Sequence, residues 1–175
     1  GQFLALLQNV NAASINSSDF VFANPQTVGG TAGNDTLVGG LGDDTIAGLD
    51  GDDVISGDKG ADSITGGGGA DTLSGGDGAD RFIYTASTDS ASGSGDTITD
   101  FGGTDHLVFS GLLQGTFAFN GAGSFAGGGN TSALFNDGTD LLSVDVNGDG
   151  SSQMEITLSG VSLGDLDLGS FIVTA

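Results

Sequence analysis

A glycine-aspartate motif repeats every nine residues in the middle of the chain. Residues 30–83 form six consecutive nonapeptides, each with glycine at positions one and four, aspartate at position six and an apolar residue at position eight. A repeat this short cannot bury a core alone, so neighbouring repeats must stack. Its glycines permit the positive φ angles that tight turns require. The period predicts a parallel β-roll in which each repeat gives a turn and a strand of about three residues, and two repeats make one coil.

Two positions of the repeat have predicted places in this roll, position eight in its interior and position six along its turns. The apolar residues at position eight are predicted to point inward, and they are Leu37, Ile46, Ile55, Ile64, Leu73 and Phe82. Because alternate repeats stack on the same side, the aspartates at position six should form two ladders. One ladder would contain Asp35, Asp53 and Asp71, and the other Asp44, Asp62 and Asp80.

These ladders need a counter-ion that the chain itself does not supply. The sequence has 23 acidic and two basic residues, with a formal net charge of −21. Stacked strands lie ~4.8 Å apart, and two carboxylates at that separation repel by ~3 kcal/mol at an effective dielectric near 20. The sequence therefore predicts that bound cations stabilise the roll, and that the metal-free roll is unfolded or molten.

Calcium suits such a site better than other cations. Ca²⁺ accepts six to eight oxygen ligands in a flexible geometry, Mg²⁺ holds its waters, and soft metals lack thiolate or clustered imidazole ligands here. The predicted ligands are the six ladder aspartates and turn carbonyls at the glycines of position four, namely Gly33, Gly42, Gly51, Gly60, Gly69 and Gly78. Five other aspartates are interpreted as solvated charge: Asp43, Asp50, Asp52, Asp58 and Asp77.

The composition argues against several other function classes. There is no cysteine and no apolar run of the ~18 residues that a membrane helix needs. The charge would repel nucleic acid and anionic lipid. With one histidine, no common nucleophile-base pair can be assembled, so we expect a module that is not an enzyme. Residues 145–156 resemble an EF-hand loop but carry Ile156 at position twelve, which favours a hairpin turn.

The nonapeptide Gly-Gly-x-Gly-x-Asp-x-apolar-x resembles the repeat of RTX proteins. Thr31, Leu49 and Asp58 replace the glycine of position two. The resemblance implies a calcium-binding β-roll over residues 30–84 that is followed by a capping region. Asp96, Asp100 and Asp105 resemble family positions that hold the capping segment to the last coils, and they are counted among the predicted metal-site residues. Solvated turn aspartates are the alternative.

Residues 85–175 are predicted to form an antiparallel β-rich capping region that also contains a secretion signal. Its candidate strands are 97–101, 106–109, 116–120, 132–136, 141–146 and 154–158. The end of the chain, from residue 158, resembles the type I secretion signals of the same family. Residues 7–23 share its apolar-Asn/Gly-Val start and its terminal Phe-apolar pair, so residues 1–29 are interpreted as the end of an upstream module or a linker.

The resemblance implies a calcium-folded module of an exported bacterial cell-surface protein, an adhesin or S-layer type, that supports type I secretion and extracellular assembly or adhesion. Its expected partners are calcium, the type I secretion machinery and either other copies of itself or cell-surface glycans. The alternative is the tail of a secreted hydrolase, such as a serralysin-like protease or lipase, with its catalytic domain upstream. A third interpretation assigns binding to rows of Thr and Ser at position seven on the outer face.

Overall fold

The computed structural model describes residues 25–112 and 115–174, and this part of the chain is all β. It has no α-helix, only two short 3-10 helices, Leu163–Asp165 and Leu168–Ser170, and no helix in it is long and apolar enough to span a membrane. The strands are β1 Thr27–Gly29, β2 Thr36–Leu41, β3 Thr45–Asp50, β4 Val54–Lys59, β5 Ser63–Gly68, β6 Thr72–Ser74, β7 Arg81–Tyr84, β8 Asp96–Ile98, β9 His106–Ser110, β10 Ala118–Phe119, β11 Ser132–Asn136, β12 Leu141–Asp145, β13 Met154–Leu158 and β14 Phe171–Thr174.

Successive strands of the repeat block alternate between two sheets. The first sheet has the order β1-β3-β5-β7-β9-β14, and the second has the order β10-β11-β12-β13-β8-β6-β4-β2. All pairs within the repeat block are parallel, and residues two repeats apart lie side by side, as Ile46 does with Ile64. The predicted all-β class and parallel β-roll are confirmed.

The core of the roll consists of the apolar residues at position eight. Ile46, Ile64 and Phe82 are fully buried on one sheet, and Ile55 and Leu73 are buried on the other. Leu37 is only partly buried because β2 is the edge strand of its sheet. The alternation of inward and outward residues along each strand explains why a single apolar position per repeat is enough to fill the interior.

The parallel stacking continues beyond the nonapeptides, which differs from the expectation of an antiparallel cap. β8 pairs in parallel with β6, and β9 pairs in parallel with β7. Both segments keep the Asp-x-apolar part of the motif, Asp96-Thr97-Ile98 and Asp105-His106-Leu107, and the second also keeps the glycine of position four, Gly103. Among the strands of the described residues, only β11, β12 and β13 form the antiparallel arrangement that the sequence predicts.

The last strand closes the roll and was not expected as a strand. β14 pairs in parallel with β9 and extends the first sheet. Its first residue, Phe171, packs on Phe117 and Phe119, each with a ring-centroid distance of 5.1 Å. Sequence reasoning assigned this segment only a secretion signal, whereas in the structure its aromatic residue is part of the core.

The turns also differ from the expected pattern in two places. Strands β2 to β5 are six residues long, because the first three residues of the next repeat continue the pairing. The connection between β12 and β13 spans eight residues, not a two-residue hairpin turn, and no helix flanks it. Asp145 accepts hydrogen bonds from the backbone N–H groups of Gly148 and Gly150 and holds this connection together.

Leu49 and Asp58 take the place of a glycine and keep its backbone conformation, with φ of 85° and 72°. A left-handed conformation costs a residue with a side chain ~1–2 kcal/mol. Leu49→Gly is therefore expected to stabilise the calcium-loaded protein by roughly 0.5–1 kcal/mol, since Leu49 is 54% exposed and loses little packing. Urea denaturation checks this, with Val54→Gly in an extended strand as the control. Equal destabilisation by Leu49→Gly and Val54→Gly would contradict a strained backbone at Leu49.

Candidate metal centre

The aspartates at position six stack in two ladders along the turns of the roll. In each step one carboxylate oxygen, Oδ1, accepts a hydrogen bond from the backbone N–H of the residue one coil earlier. Asp62 Oδ1 thus accepts from Asp44 at 2.7 Å, and Asp71 Oδ1 accepts from Asp53 at 2.8 Å. The side chains are 0–2% exposed from Asp44 to Asp80. The repeat therefore buries a row of carboxylates at fixed positions between coils.

The ladders extend past the nonapeptides in both directions. Asp96 Oδ1 accepts from the N–H of Asp71 at 2.9 Å, and Asp105 Oδ1 accepts from the N–H of Asp80 at the same distance. At the other end, the N–H of Gln26 donates to Asp44 Oδ1 at 2.7 Å. Asp96 and Asp105 thus occupy the positions that the aspartates of two further repeats would occupy.

The second carboxylate oxygen of most ladder aspartates is buried and has no hydrogen-bond partner. This oxygen, Oδ2, is buried and makes no hydrogen bond in six residues: Asp44, Asp53, Asp62, Asp71, Asp80 and Asp96. A buried acceptor without a donor costs ~1–3 kcal/mol, and more when it is charged. Six such oxygens in one module require a positively charged ligand if the carboxylates are ionised.

The glycines at position one make the space beside these oxygens. A Cβ placed on Gly39 would lie 2.6 Å from Asp44 Oδ2 and 2.8 Å from the carbonyl oxygen of Gly57, one coil further on. Cβ atoms on Gly48 or Gly57 would overlap the Oδ2 atoms of their own repeats. A carboxylate and a carbonyl from successive coils therefore converge on a point that any side chain would fill. Sequence reasoning assigned carbonyl ligands to position four and missed position one.

The ladder ends differ from its middle. Asp35 Oδ2 accepts from the backbone N–H and the hydroxyl of Thr31 at 2.6 and 2.9 Å. Asp105 Oδ2 accepts from the backbone N–H of Gly102 at 2.8 Å. Both residues were predicted as ligands, and both have hydrogen-bond donors where the middle aspartates have a free oxygen.

Asp100 lies outside both ladders, on the surface. Its carboxylate accepts from the hydroxyl of Ser74 and from the backbone N–H groups of Gly75 and Gly76, at 2.6, 3.0 and 2.9 Å. These bonds connect the segment after β8 to the last nonapeptide. Asp100 therefore holds the segment after β8 against the last nonapeptide.

The remaining predicted residues have other positions. Gly42, Gly51, Gly60, Gly69 and Gly78 adopt positive φ angles of 117–155°, which places them in the turns. Asp43, Asp50, Asp52, Asp58 and Asp77 are exposed, and Asp77 forms an ion pair with Lys59 at 2.6 Å. The outer row of position seven on one sheet reads Thr36, Val54, Thr72 and Thr97, so it is not a uniform hydroxyl surface.

The donor set fits calcium and not a site made of carboxylates alone. Among residues 25–112 and 115–174, no point brings three or more carboxylate or imidazole groups together. The free Oδ2 atoms of Asp44, Asp53 and Asp62 instead lie next to a space that a backbone carbonyl also borders. Calcium accepts carboxylate and carbonyl oxygens together in an irregular shell. The residues suited to hold it are the middle ladder aspartates, with the carbonyls of the glycines at position one.

Burial changes the acid-base behaviour of the ladder. Burial raises the pKa of Asp71 and of Asp80 to about 6, and nearby carboxylates add to the increase. Burial raises the pKa of Asp96 to about 8, with the charge of Asp71 acting in the same direction. The buried Tyr84 hydroxyl lies close enough to Asp96 to interact with it electrostatically, but makes no hydrogen bond of acceptable geometry.

Without metal, the roll should lose stability as the pH rises from 5 to 8. The pKa values of Asp71, Asp80 and Asp96 in the folded state lie above the unfolded value of about 3.9, so the folded state binds more protons in this range. This stabilisation is complete below the unfolded pKa and is lost as the pH passes about 6 and then about 8. Far-UV circular dichroism in EDTA should show more β structure at pH 5 than at pH 8.

Asp96→Asn is the informative variant for this pH dependence. The substitution should remove the loss of stability that occurs near pH 8 and leave the loss of stability near pH 6 unchanged. A β signal that increases with pH in the absence of calcium would contradict the assignment of raised pKa values to buried ladder carboxylates.

Comparison with known proteins identifies relatives of the repeat block. Residues 29–64, 48–82 and 56–91 match the family model of the RTX calcium-binding nonapeptide repeat. The solution structure of the AlgE6R2 subunit from the Azotobacter vinelandii mannuronan C5-epimerase is similar, with 29% identity and a TM-score of 0.60, over 83% of this chain and 91% of that one. The AlgE6R3 subunit has 29% identity over 85% of this chain and 78% of its own, with a TM-score of 0.38. No curated protein sequence matches the chain.

Proposed function

Because residues 29–91 carry RTX calcium-binding nonapeptide repeats, we propose that this chain is a calcium-folded module of an exported bacterial cell-surface protein. RTX repeats bind calcium and occur typically in secreted proteins. The observation that carries the proposal is the set of six buried Oδ2 atoms without a hydrogen-bond donor. These oxygens make the folded roll unfavourable until cations bind.

Calcium would link the folding of the module to its location. Binding energy becomes folding energy when a site exists only in the folded chain. Extracellular calcium modules have dissociation constants of ~10⁻⁴–10⁻³ M. A chain with such sites would remain unfolded in a low-calcium cytosol, pass through a type I channel and fold outside. Folding outside would also oppose backward movement through the channel.

The surface-protein assignment rests on composition and on the acidic exterior. The chain is rich in glycine and aspartate, contains no cysteine and has a net charge of −21. Such a composition suits a long extracellular polymer of the adhesin or S-layer type. Self-association or binding to cell-surface glycans would be the activity of that polymer, and the type I secretion machinery would be its export partner.

The similarity to the AlgE6R2 subunit favours a second candidate. That subunit belongs to an enzyme, the mannuronan C5-epimerase. This chain would then be the calcium-binding tail of a secreted enzyme, and the serralysin-like hydrolases fall in the same class. The parent gene distinguishes the two candidates. An upstream His-Glu-x-x-His or Gly-x-Ser-x-Gly supports the hydrolase, and tandem RTX or immunoglobulin-like blocks support the surface protein.

Calcium titration of the metal-stripped chain tests the proposed folding function. Far-UV circular dichroism at neutral pH should show little β signal in EDTA and a cooperative increase at micromolar to millimolar calcium. Magnesium at the same concentrations should have a much smaller effect. A chain that is already fully folded in EDTA at neutral pH would overturn the proposal, because the ladder carboxylates would then be neutralised without metal.

A further inference from the structure

Residues 152–174, the segment that closes the roll, have a distinct pattern of buried and exposed side chains. Another sequence can be aligned to this pattern. From β13 to β14, six apolar side chains are at most 7% exposed: Met154, Ile156, Leu158, Val161, Leu166 and Phe171. Leu168 in the same segment is 63% exposed. The pattern therefore separates positions that must be apolar from positions that need not be.

Residues 1–23 fit this pattern when they are aligned without a gap to residues 152–174. The first 24 residues lie outside the described part of the chain, so only their sequence enters the comparison. All six buried positions are matched by apolar residues, namely Phe3, Ala5, Leu7, Val10, Ile15 and Phe20. The exposed Leu168 is matched by Ser17. The two segments therefore both have apolar residues at all six positions that are buried in the closing segment.

Two backbone features of the closing segment are matched as well. Gly160 has a φ of 74°, and its counterpart is Asn9, a residue type that accepts positive φ more readily than most. The Asp167 side chain caps a 3-10 helix by accepting from the N–H of Ser170, and its counterpart is Asn16, which can cap in the same way. These matches are independent of hydrophobicity.

A second closing segment has no vacant place on the strands that receive the first one. β13 lies between β8 and β12, and β14 covers the free edge of β9. Directly after residues 1–23, the new roll begins: Gln26 already donates to Asp44 Oδ1 at 2.7 Å and to the carbonyl of Gly39 at 3.1 Å. Only residues 24–26 separate the end of one pattern from the start of β1.

We propose that residues 1–23 are the closing segment of a preceding copy of this module, and that the protein is a tandem array of such modules. The partner of each module is then another copy in the same polypeptide. Residues 24–26, which include Pro25, are the whole connector. The last residue of this connector, Gln26, is already bound to the first ladder.

A segment exchange tests the inference. In the full chain, residues 152–174 are replaced by the sequence of residues 1–23, and a control graft carries serine in place of Phe3, Leu7 and Phe20. The exchanged chain should fold on calcium addition with a midpoint within about tenfold of the unmodified chain, and the control graft should not fold. An exchanged chain that fails to fold like the control would overturn the inference.

Single substitutions test the same inference without a graft. Phe171→Ala should raise the calcium midpoint at least tenfold, whereas Phe20→Ala should change it less than twofold, because its packing partners belong to another module. A Phe20→Ala effect as large as that of Phe171→Ala would place residues 1–23 on the described roll and overturn the proposal. The unmodified chain separates the two proposals: its failure to respond to calcium would count against the proposed folding function itself.

Discussion

Replacing Asp62 by asparagine should raise the calcium concentration for half-maximal folding roughly tenfold or more, which corresponds to ~1.4 kcal/mol. The amide oxygen can still accept the hydrogen bond from the N–H of Asp44. The amide nitrogen, however, would replace the free Oδ2, and a nitrogen that carries hydrogens cannot bind a cation. Calcium affinity depends strongly on the number of charged ligands, so the loss of this oxygen should be visible in a single variant.

The same substitution should have the opposite effect on the metal-free protein. Burial raises the pKa of Asp62, and the charges of Asp44, Asp43 and Asp58 raise it further, so its ionised form is unfavourable in the fold. Asparagine removes that charge. In EDTA at neutral pH, Asp62→Asn should therefore have at least as much β structure as the unmodified chain. The two opposite signs distinguish a lost calcium ligand from general damage to the fold.

Asp50→Asn is the matched control, since it makes the same chemical change at the exposed last residue of β3. Its calcium midpoint should remain within about twofold of the unmodified value. Circular dichroism titrations of the three proteins, in the same buffer, give the comparison. Equal shifts of the calcium midpoint for Asp62→Asn and Asp50→Asn would mean that calcium binding depends on the total charge of the chain and not on the ladder.

Gly67→Ala should destabilise the calcium-loaded roll by roughly 3 kcal/mol or more. Gly67 has a φ of 110°, outside the region that alanine adopts readily, and a Cβ on it would overlap the carbonyl oxygen of Leu49 in the preceding coil. This oxygen belongs to the backbone, so it cannot move aside by a side-chain rotation. Coil spacing would have to increase locally, which would disturb the pairing of β3 with β5.

Gly68→Ala provides a control one residue away. Its φ is not in the positive region, and the nearest atom to an added Cβ would be Asp50 Oδ1 at 3.4 Å. The change should be neutral or slightly stabilising, by about 0.4–1 kcal/mol if the backbone is compatible. Urea denaturation at saturating calcium measures both variants. Similar stabilities for Gly67→Ala and Gly68→Ala would show that the coils are not packed as closely as the structure has them.

The repeat block could be predicted from sequence because each of its physical requirements recurs six times. An apolar residue at position eight, glycine in the turns and aspartate at position six admit few arrangements other than a stacked roll. The alternation of Asp53 and Asp62 between two ladders follows from the coil length alone. Ile46 and Ile64 therefore pair as the nonapeptide register requires.

Other features depend on contacts that the local sequence does not encode. Asp105 belongs to a ladder because it accepts a hydrogen bond from the N–H of Asp80 across a longer connection than in the repeats. In the sequence, only the short pattern Gly103-x-Asp105-x-Leu107 indicated this. The donors to Asp35 come from Thr31, which the sequence marked only as a departure from glycine. Phe171 looked like part of an export signal because its partners, Phe117 and Phe119, are distant in sequence. Gly39 is needed because a Cβ there would occupy the space beside Asp44 Oδ2, and no sequence motif specifies where that oxygen lies.

The most direct test of the account is the location of calcium by anomalous scattering in crystals grown with the metal. Peaks are expected between successive coils, beside the free carboxylate oxygens of Asp44, Asp53, Asp62 and Asp71 and the carbonyls of the glycines at position one. Ladders without a peak, with calcium found only at exposed carboxylates such as those of Asp43 and Asp52, would contradict calcium binding by the ladders.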